Sequence, residues 1–158
     1  MECATLRWKE NIDFEQRIIT IGADVTKNSM EHKLPMSDLI FLILKQRYEQ
    51  QARNTECVFP GRGGKKHLVD STHVIAQIPH RIEYPFVLHD LRRCFLSRGE
   101  RIGLSLFTLK RLANHSFGRD ITAGYIVLDV EQLREPMQKI TDEFLSVMGC
   151  DKNHWNAS

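Results

Sequence analysis

At 158 residues, with 42% hydrophobic and 27% charged side chains, the chain has the size of one ordinary domain that buries its own core without metal or disulfide staples. It carries neither tandem repeats nor low-complexity tracts, which sets aside the fibrous and disordered classes, and no apolar run approaches the roughly 18 residues of a membrane span. The net charge of +2 is small but segregated: from Arg92 to Arg119 seven Lys/Arg stand against one acid, Glu100, and from Asp129 to Asp151 six acids stand against two bases. The first of these segments is suited to facing phosphates.

The start, Met1-Glu2-Cys3-Ala4-Thr5-Leu6-Arg7-Trp8, has no basic stretch leading into an apolar one and no small-residue cleavage site, so a cytoplasmic location is expected. Cys3, Cys57, Cys94 and Cys150 are scattered without a CxxC pair or Cys/His ligand spacing. Reduced thiols are therefore expected, with no metal and no disulfide framework.

In chain order, Phe14 to Ile21 reads as a strand from its β-branched content, and His32 to Met36 as a short partner. The connection from Ala23 to Ser29 is hairpin-like and carries Lys27. Ser37 is a good N-cap for a helix from about Asp38 into Gln50, with Leu39, Ile40, Ile43, Leu44 and Tyr48 on its apolar side. Cys57 to Lys66, with three glycines and a proline, is the clearest loop. It is not a nucleotide-binding loop, because no Ser/Thr follows the lysines and the glycine spacing is wrong. Short helices are expected near Ser71 to Gln77, His89 to Arg98 and Ser105 to Ala113. Beyond them Val130, Leu133, Met137, Ile140, Phe144 and Val147 line one helical stripe, which either packs on the chain's own core or docks on a partner. Pro136 either opens a helix there or kinks one.

Five positions form an ordered constellation: His89 and Arg92, His115, then Thr122 and Tyr125. Breaking a phosphodiester by side-chain attack needs a nucleophile, charge stabilisation on the non-bridging oxygens and a proton donor for the departing oxygen. Tyr125 is the candidate nucleophile; its phenol, with an ordinary pKa of about 10, needs nearby cations or a base to attack. Arg92 is a permanent cation whose planar fork of donors matches two phosphate oxygens. On a helix, His89 and Arg92 share a face. Lys27, on a turn, can act as general acid toward a leaving 5′ oxygen. Taken singly each residue has a plainer reading: a structural or solvated histidine, a packed tyrosine, a solvated lysine, a helix-capping His115. Arg93, pointing elsewhere from Arg92, reads as a surface ion pair or a phosphate contact. Asn114-His115-Ser116 also fits a glycosylation sequon, idle without a secretory route.

Taken together, these residues resemble the tyrosine recombinases of the phage integrase family. Leu88-His89-Asp90-Leu91-Arg92-Arg93-Cys94-Phe95 resembles that family's H-x-L-R-R-T-F box, Leu109 to Ser116 its L-L-G/N-H-S box, and Asp120 to Ile126 the segment bearing its nucleophilic tyrosine. Glu2 to Asp13 resembles its E-x-x-x-L-R-W-x-D-I-D stretch, and Thr26 to Pro35 its catalytic-lysine hairpin. The likeness runs from Glu2 to about Leu145. It implies a mixed α+β, mainly helical catalytic domain with a small antiparallel sheet near the N-terminus, spanning residues 1–150, with 151–158 a flexible tail. It further implies Tyr125 as the nucleophile of a 3′-phosphotyrosine link, Arg92 on the scissile phosphate, Lys27 as general acid, and His89 and His115 assisting. No metal, nucleotide or other cofactor and no membrane is implied; the partners are double-stranded DNA and, in the full-length protein, three further copies forming a tetramer on paired sites. Lys65, Lys66, Arg93, Lys110 and Arg111 are expected contacts to the DNA backbone.

The pattern departs from the family in three ways. The family's second catalytic arginine falls before Met1, and its N-terminal DNA-binding domain is not in this sequence, so a truncated catalytic domain of low activity on its own is expected. Cys94 stands where Thr is usual, and His115 to Tyr125 is one residue longer than the commonest spacing. Alternative readings are a degenerate remnant that only binds DNA or a partner subunit, and a type IB topoisomerase with the same chemistry.

Overall fold

The computed structural model describes residues 2–26, 29–51, 55–61, 66–69, 86–115 and 129–150; the expected helix near Ser71 to Gln77 and the tail from 151 lie outside them. After a 3-10 turn at Glu2–Thr5, helix α1 (Trp8–Asn11) leads into β1 (Ile12–Asp13), β2 (Ile18–Ile21) and β3 (His32–Pro35). The three strands form an antiparallel sheet in the order β1-β2-β3, with Ile12 opposite Ile19 and Ile19 opposite Leu34. The expected strand from Phe14 is four residues shorter at its start. Asp13 Oδ1 accepts from the Gln16 amide at 2.8 Å and Arg17 takes φ 53°, so Phe14 to Arg17 form a turn instead of continuing the ladder. The Phe14 ring, freed from the sheet, packs 6.3 Å from Trp8 and 5.9 Å from Phe41, centroid to centroid.

Helix α2 (Asp38–Gln50) starts where expected, with Ser37 Oγ accepting from the Ile40 amide at 3.5 Å. Its inner face differs from the expected one. Leu44 is buried and Phe41 packs on the core, while Ile40, Ile43 and Tyr48 are 37%, 38% and 48% exposed. Phe41, Leu44 and Tyr48 follow a 3-4 spacing set by the aromatic cluster, Tyr48 lying 5.1 Å from Trp8 and 5.7 Å from Phe14.

The stretch from Cys57, expected as loop, is partly paired. Trp8 donates its amide to the Glu56 carbonyl at 3.0 Å and Val58 donates to that of Leu6 at 2.8 Å, and Val58 is fully buried. The chain then folds back, Leu68 donating to Phe59 at 2.8 Å and Gly61 to Lys66 at 2.7 Å. A Cβ on Gly61 would lie 3.0 Å from the His67 carbonyl oxygen, so a side chain there would press this return outward by a few tenths of an ångström.

The second half is helical: α3 (Leu88–Arg101), α4 (Leu106–Leu112), a 3-10 turn at Val130–Leu133 and α5 (Arg134–Val147). Leu109, Leu112, Leu133 and Ile140 form its buried centre, and Leu34 of β3 packs against both this cluster and the N-terminal one. The stripe of α5 therefore serves the chain's own core, except at Val147, which is 56% exposed. Pro136 does not open that helix as its first residue. It is the third residue of α5, inside the first turn, where no amide has an intrahelical acceptor to lose.

Polar links hold α5 on the N-terminal half. Gln138 Oε1 accepts from the Asp38 amide at 2.9 Å, and Arg134 Nη2 donates to the Gln16 carbonyl at 2.8 Å. The hydrogen bond from Arg134 also holds the Glu131 carboxyl below its ordinary range. Arg98 and Glu143, 3.2 Å apart and mostly covered, tie α3 to α5.

Gly99 marks the tightest approach between helices: a Cβ there would run into Leu109 Cδ2 and lie 3.3 Å from Ile140 Cδ1. Both side chains are almost fully buried and have little room to retreat. Gly99→Val is expected to destabilise the fold by about 1–3 kcal/mol, read as a lower urea midpoint with unchanged slope. An unchanged midpoint would show that the three helices can part without cost.

Candidate active site

The first turn of α3 presents His89, and Arg92 follows three residues later on the same face. His89 is exposed and Arg92 half-buried. Asp90 fixes this helix start, its Oδ2 accepting from the Val87 amide at 2.9 Å. Arg93, directed away, is exposed and stands 3.7 Å from Asp90 Oδ1.

Helices α3 and α4 run antiparallel, because Gly99 near the end of α3 meets Leu109 while Arg92 nearer its start meets the residue that ends α4. That second contact is a hydrogen bond of 2.6 Å from Arg92 Nη2 to the Ala113 carbonyl. It brings the H-x-x-R box and the N-H-S box into one corner. Helix α4 starts at Ser105, whose Oγ accepts from the Thr108 amide at 3.0 Å. It closes in a left-handed turn: Asn114 takes φ 49°, and His115 donates its amide to Lys110 at 2.8 Å while Asn114 donates to Arg111 at 3.1 Å. This is the paired 6→1 and 5→2 arrangement of a helix C-terminus. His115 thus does cap α4, through its backbone, which leaves its exposed imidazole for other work.

Around this corner, Lys110 and Arg111 occupy the last turn of α4. Arg111 is half-buried and its Nε is enclosed without a hydrogen-bond partner among the described residues. Lys66 is exposed on the returning segment after Gly61. On the hairpin, Thr26 Oγ1 donates to the Met30 carbonyl at 2.7 Å and accepts from the Met30 amide at 3.1 Å, closing the chain on either side of Lys27. Lys27 itself, Lys65, Thr122 and Tyr125 lie outside the described residues. Among the described residues no cluster of three His, Cys, Asp or Glu could hold a metal, and no helix is long and apolar enough to cross a membrane. Sequence reasoning missed the Ala113 carbonyl as Arg92's partner. A backbone oxygen leaves no mark in sequence, although Asn at a helix end is a readable sign of the turn that presents it.

The model of the phage integrase family matches residues 1–131. The chain belongs to the phage integrase family. Its similarity to individual members is local: it is 39% identical over 77 residues to the integrase of Shigella phage Sf6, a stretch that is 49% of this chain and 20% of that protein. The same identity and coverage relate it to the prophage integrase IntS of Escherichia coli K12. The matched stretch is thus about a fifth of the length of either integrase. No solved structure matches the chain.

Proposed function

We propose that this chain is catalytic machinery of a site-specific DNA recombinase, which cuts and rejoins strands through a 3′-phosphotyrosine intermediate. Family membership supports the reading, and one observation carries it: the hydrogen bond from Arg92 to the Ala113 carbonyl, which joins two of the boxes that the chemistry requires. In this mechanism the Tyr125 phenolate oxygen bonds to phosphorus as the P–O5′ bond breaks, and Lys27 gives its proton to the departing 5′ oxygen. Arg92 neutralises the non-bridging oxygens as charge builds on them, while His89 and His115 bind the same phosphate and assist proton transfer. Attack of a 5′-hydroxyl on the phosphotyrosine reverses the step, so no nucleotide is consumed. The full protein acts as a tetramer on paired duplex sites, in the cytoplasm.

Lys65, Lys66, Arg93, Lys110 and Arg111 serve the DNA backbone in this reading, and backbone contacts position without reading sequence. Replacing Lys66 and Lys110 by Gln is expected to weaken binding to unrelated duplexes about equally. Each lost contact should lower the salt-dependence slope by about 0.9. A changed preference among sites would reassign these residues to base recognition.

The decisive experiment incubates the full natural protein with a nicked duplex from which the released fragment bearing the new 5′-hydroxyl diffuses away, then looks for a protein–DNA adduct under denaturing conditions and maps its peptide. An adduct at Tyr125 is expected. DNA binding without any adduct would instead establish a recombinase remnant that only binds.

A further inference from the structure

We infer that Asn114 is a positioning residue for the phosphate-binding guanidinium: its left-handed backbone turns the chain off α4 and leaves the Ala113 carbonyl to lock Arg92. The inference rests on the proposed role of Arg92 in cleavage. Were residue 114 to continue the helix, the Ala113 carbonyl would point along the axis and be taken by an amide four residues on. Instead Asn114 sits at φ 49°. The amides of Asn114 and His115 close back on Arg111 and Lys110, so the Ala113 oxygen leaves the helical ladder and receives Arg92 Nη2 at 2.6 Å. One of the guanidinium N–H donors is thereby fixed on the protein, which holds the plane in which the others are offered to a phosphate. The same turn sets where His115 leaves the helix. One backbone conformation thus orients two proposed phosphate ligands that lie 23 positions apart (115 − 92). Asn and Gly adopt this conformation readily, whereas a side chain without such a local polar group resists it.

The test compares Asn114→Ala with Asn114→Gly. The glycine variant should cleave at nearly the parent rate, because it keeps the turn. The alanine variant should lose about tenfold or more in single-turnover cleavage at saturating DNA, with DNA affinity unchanged. In a double-mutant cycle, Asn114→Ala should add little to the loss caused by Arg92→Ala, since it acts through that residue. A second readout is independent of activity. The 15N-labelled Arg92 guanidinium should show restricted Nη rotation in the parent and in the glycine variant, and free rotation in the alanine variant. Equal restriction in all three, or a glycine variant as impaired as the alanine one, overturns the inference. Restriction that follows Asn114 while Arg92→Ala still cleaves at the parent rate would keep the positioning device and overturn the proposed catalytic role of Arg92.

Discussion

Tyr125→Phe is expected to abolish the covalent DNA adduct, lowering cleavage by roughly four orders of magnitude or more, with DNA affinity unchanged. The substitution removes one oxygen atom and keeps the ring, so the chemistry of the hydroxyl is interrogated. A rival nucleophile in sequence is Ser116, directly after His115. An imidazole beside a hydroxyl is itself a familiar activating pair. The two candidates separate cleanly: with Ser116 as nucleophile the adduct persists in Tyr125→Phe, disappears in Ser116→Ala and maps to a serine-containing peptide. A phenol is the better suited of the two here. Its ordinary pKa of about 10 is far lower than that of a serine hydroxyl, so a cation beside it needs to shift it less to expose the anion at neutral pH. The same property makes the phenolate a good leaving group when a 5′-hydroxyl returns to rejoin the strand.

What could be read in advance from the sequence divides along the range of the interactions involved. Ser37 and Ser105 announce α2 and α4 because an N-cap is satisfied within three residues, and the i, i+3 spacing of His89 and Arg92 places both on one face by helical geometry alone. Errors arise where a distant partner decides. Cys57 and Val58 carry the composition of a loop, yet they pair with a segment some fifty positions earlier, which no local pattern discloses. The β-branched run ending at Ile21 invites a strand from Phe14, but a left-handed Arg17 and an aromatic cluster spanning three elements claim its first residues. On α2, seven apolar side chains, Leu39 to Leu44 and Tyr48, compete for one buried line. Ring contacts of Phe14 with Phe41 and Tyr48 set which 3-4 line turns inward, with Leu44 between them in the same core. The candidate site follows the same division: its proposed side chains are named from sequence spacing, whereas the carbonyl that anchors Arg92 becomes visible only when α3 and α4 are laid side by side.

Arg92→Ala is expected to reduce cleavage at saturating DNA by about 10²–10³-fold, while DNA affinity falls much less, because one phosphate contact among several is a small part of duplex binding. The asymmetry follows from timing. In the proposed reaction negative charge on the non-bridging oxygens is concentrated as the nucleophile attacks, so a cation held in place stabilises the transition state more than the bound ground state. Holding in place is the point at which Arg92→Lys becomes informative. Lysine keeps the charge but is a compact ammonium on a flexible stem; it lacks the planar fork that spans two phosphate oxygens while one N–H stays on the Ala113 carbonyl. The lysine variant is therefore expected to recover DNA affinity almost fully and the cleavage rate only slightly. A lysine variant that cleaves within a few-fold of the parent would show that charge alone suffices and that the Ala113 anchor is incidental to catalysis. A parallel collapse of affinity and rate in Arg92→Ala would place this residue in ground-state binding, and the burden of stabilising the departing strand would pass to His89, His115 and Lys27.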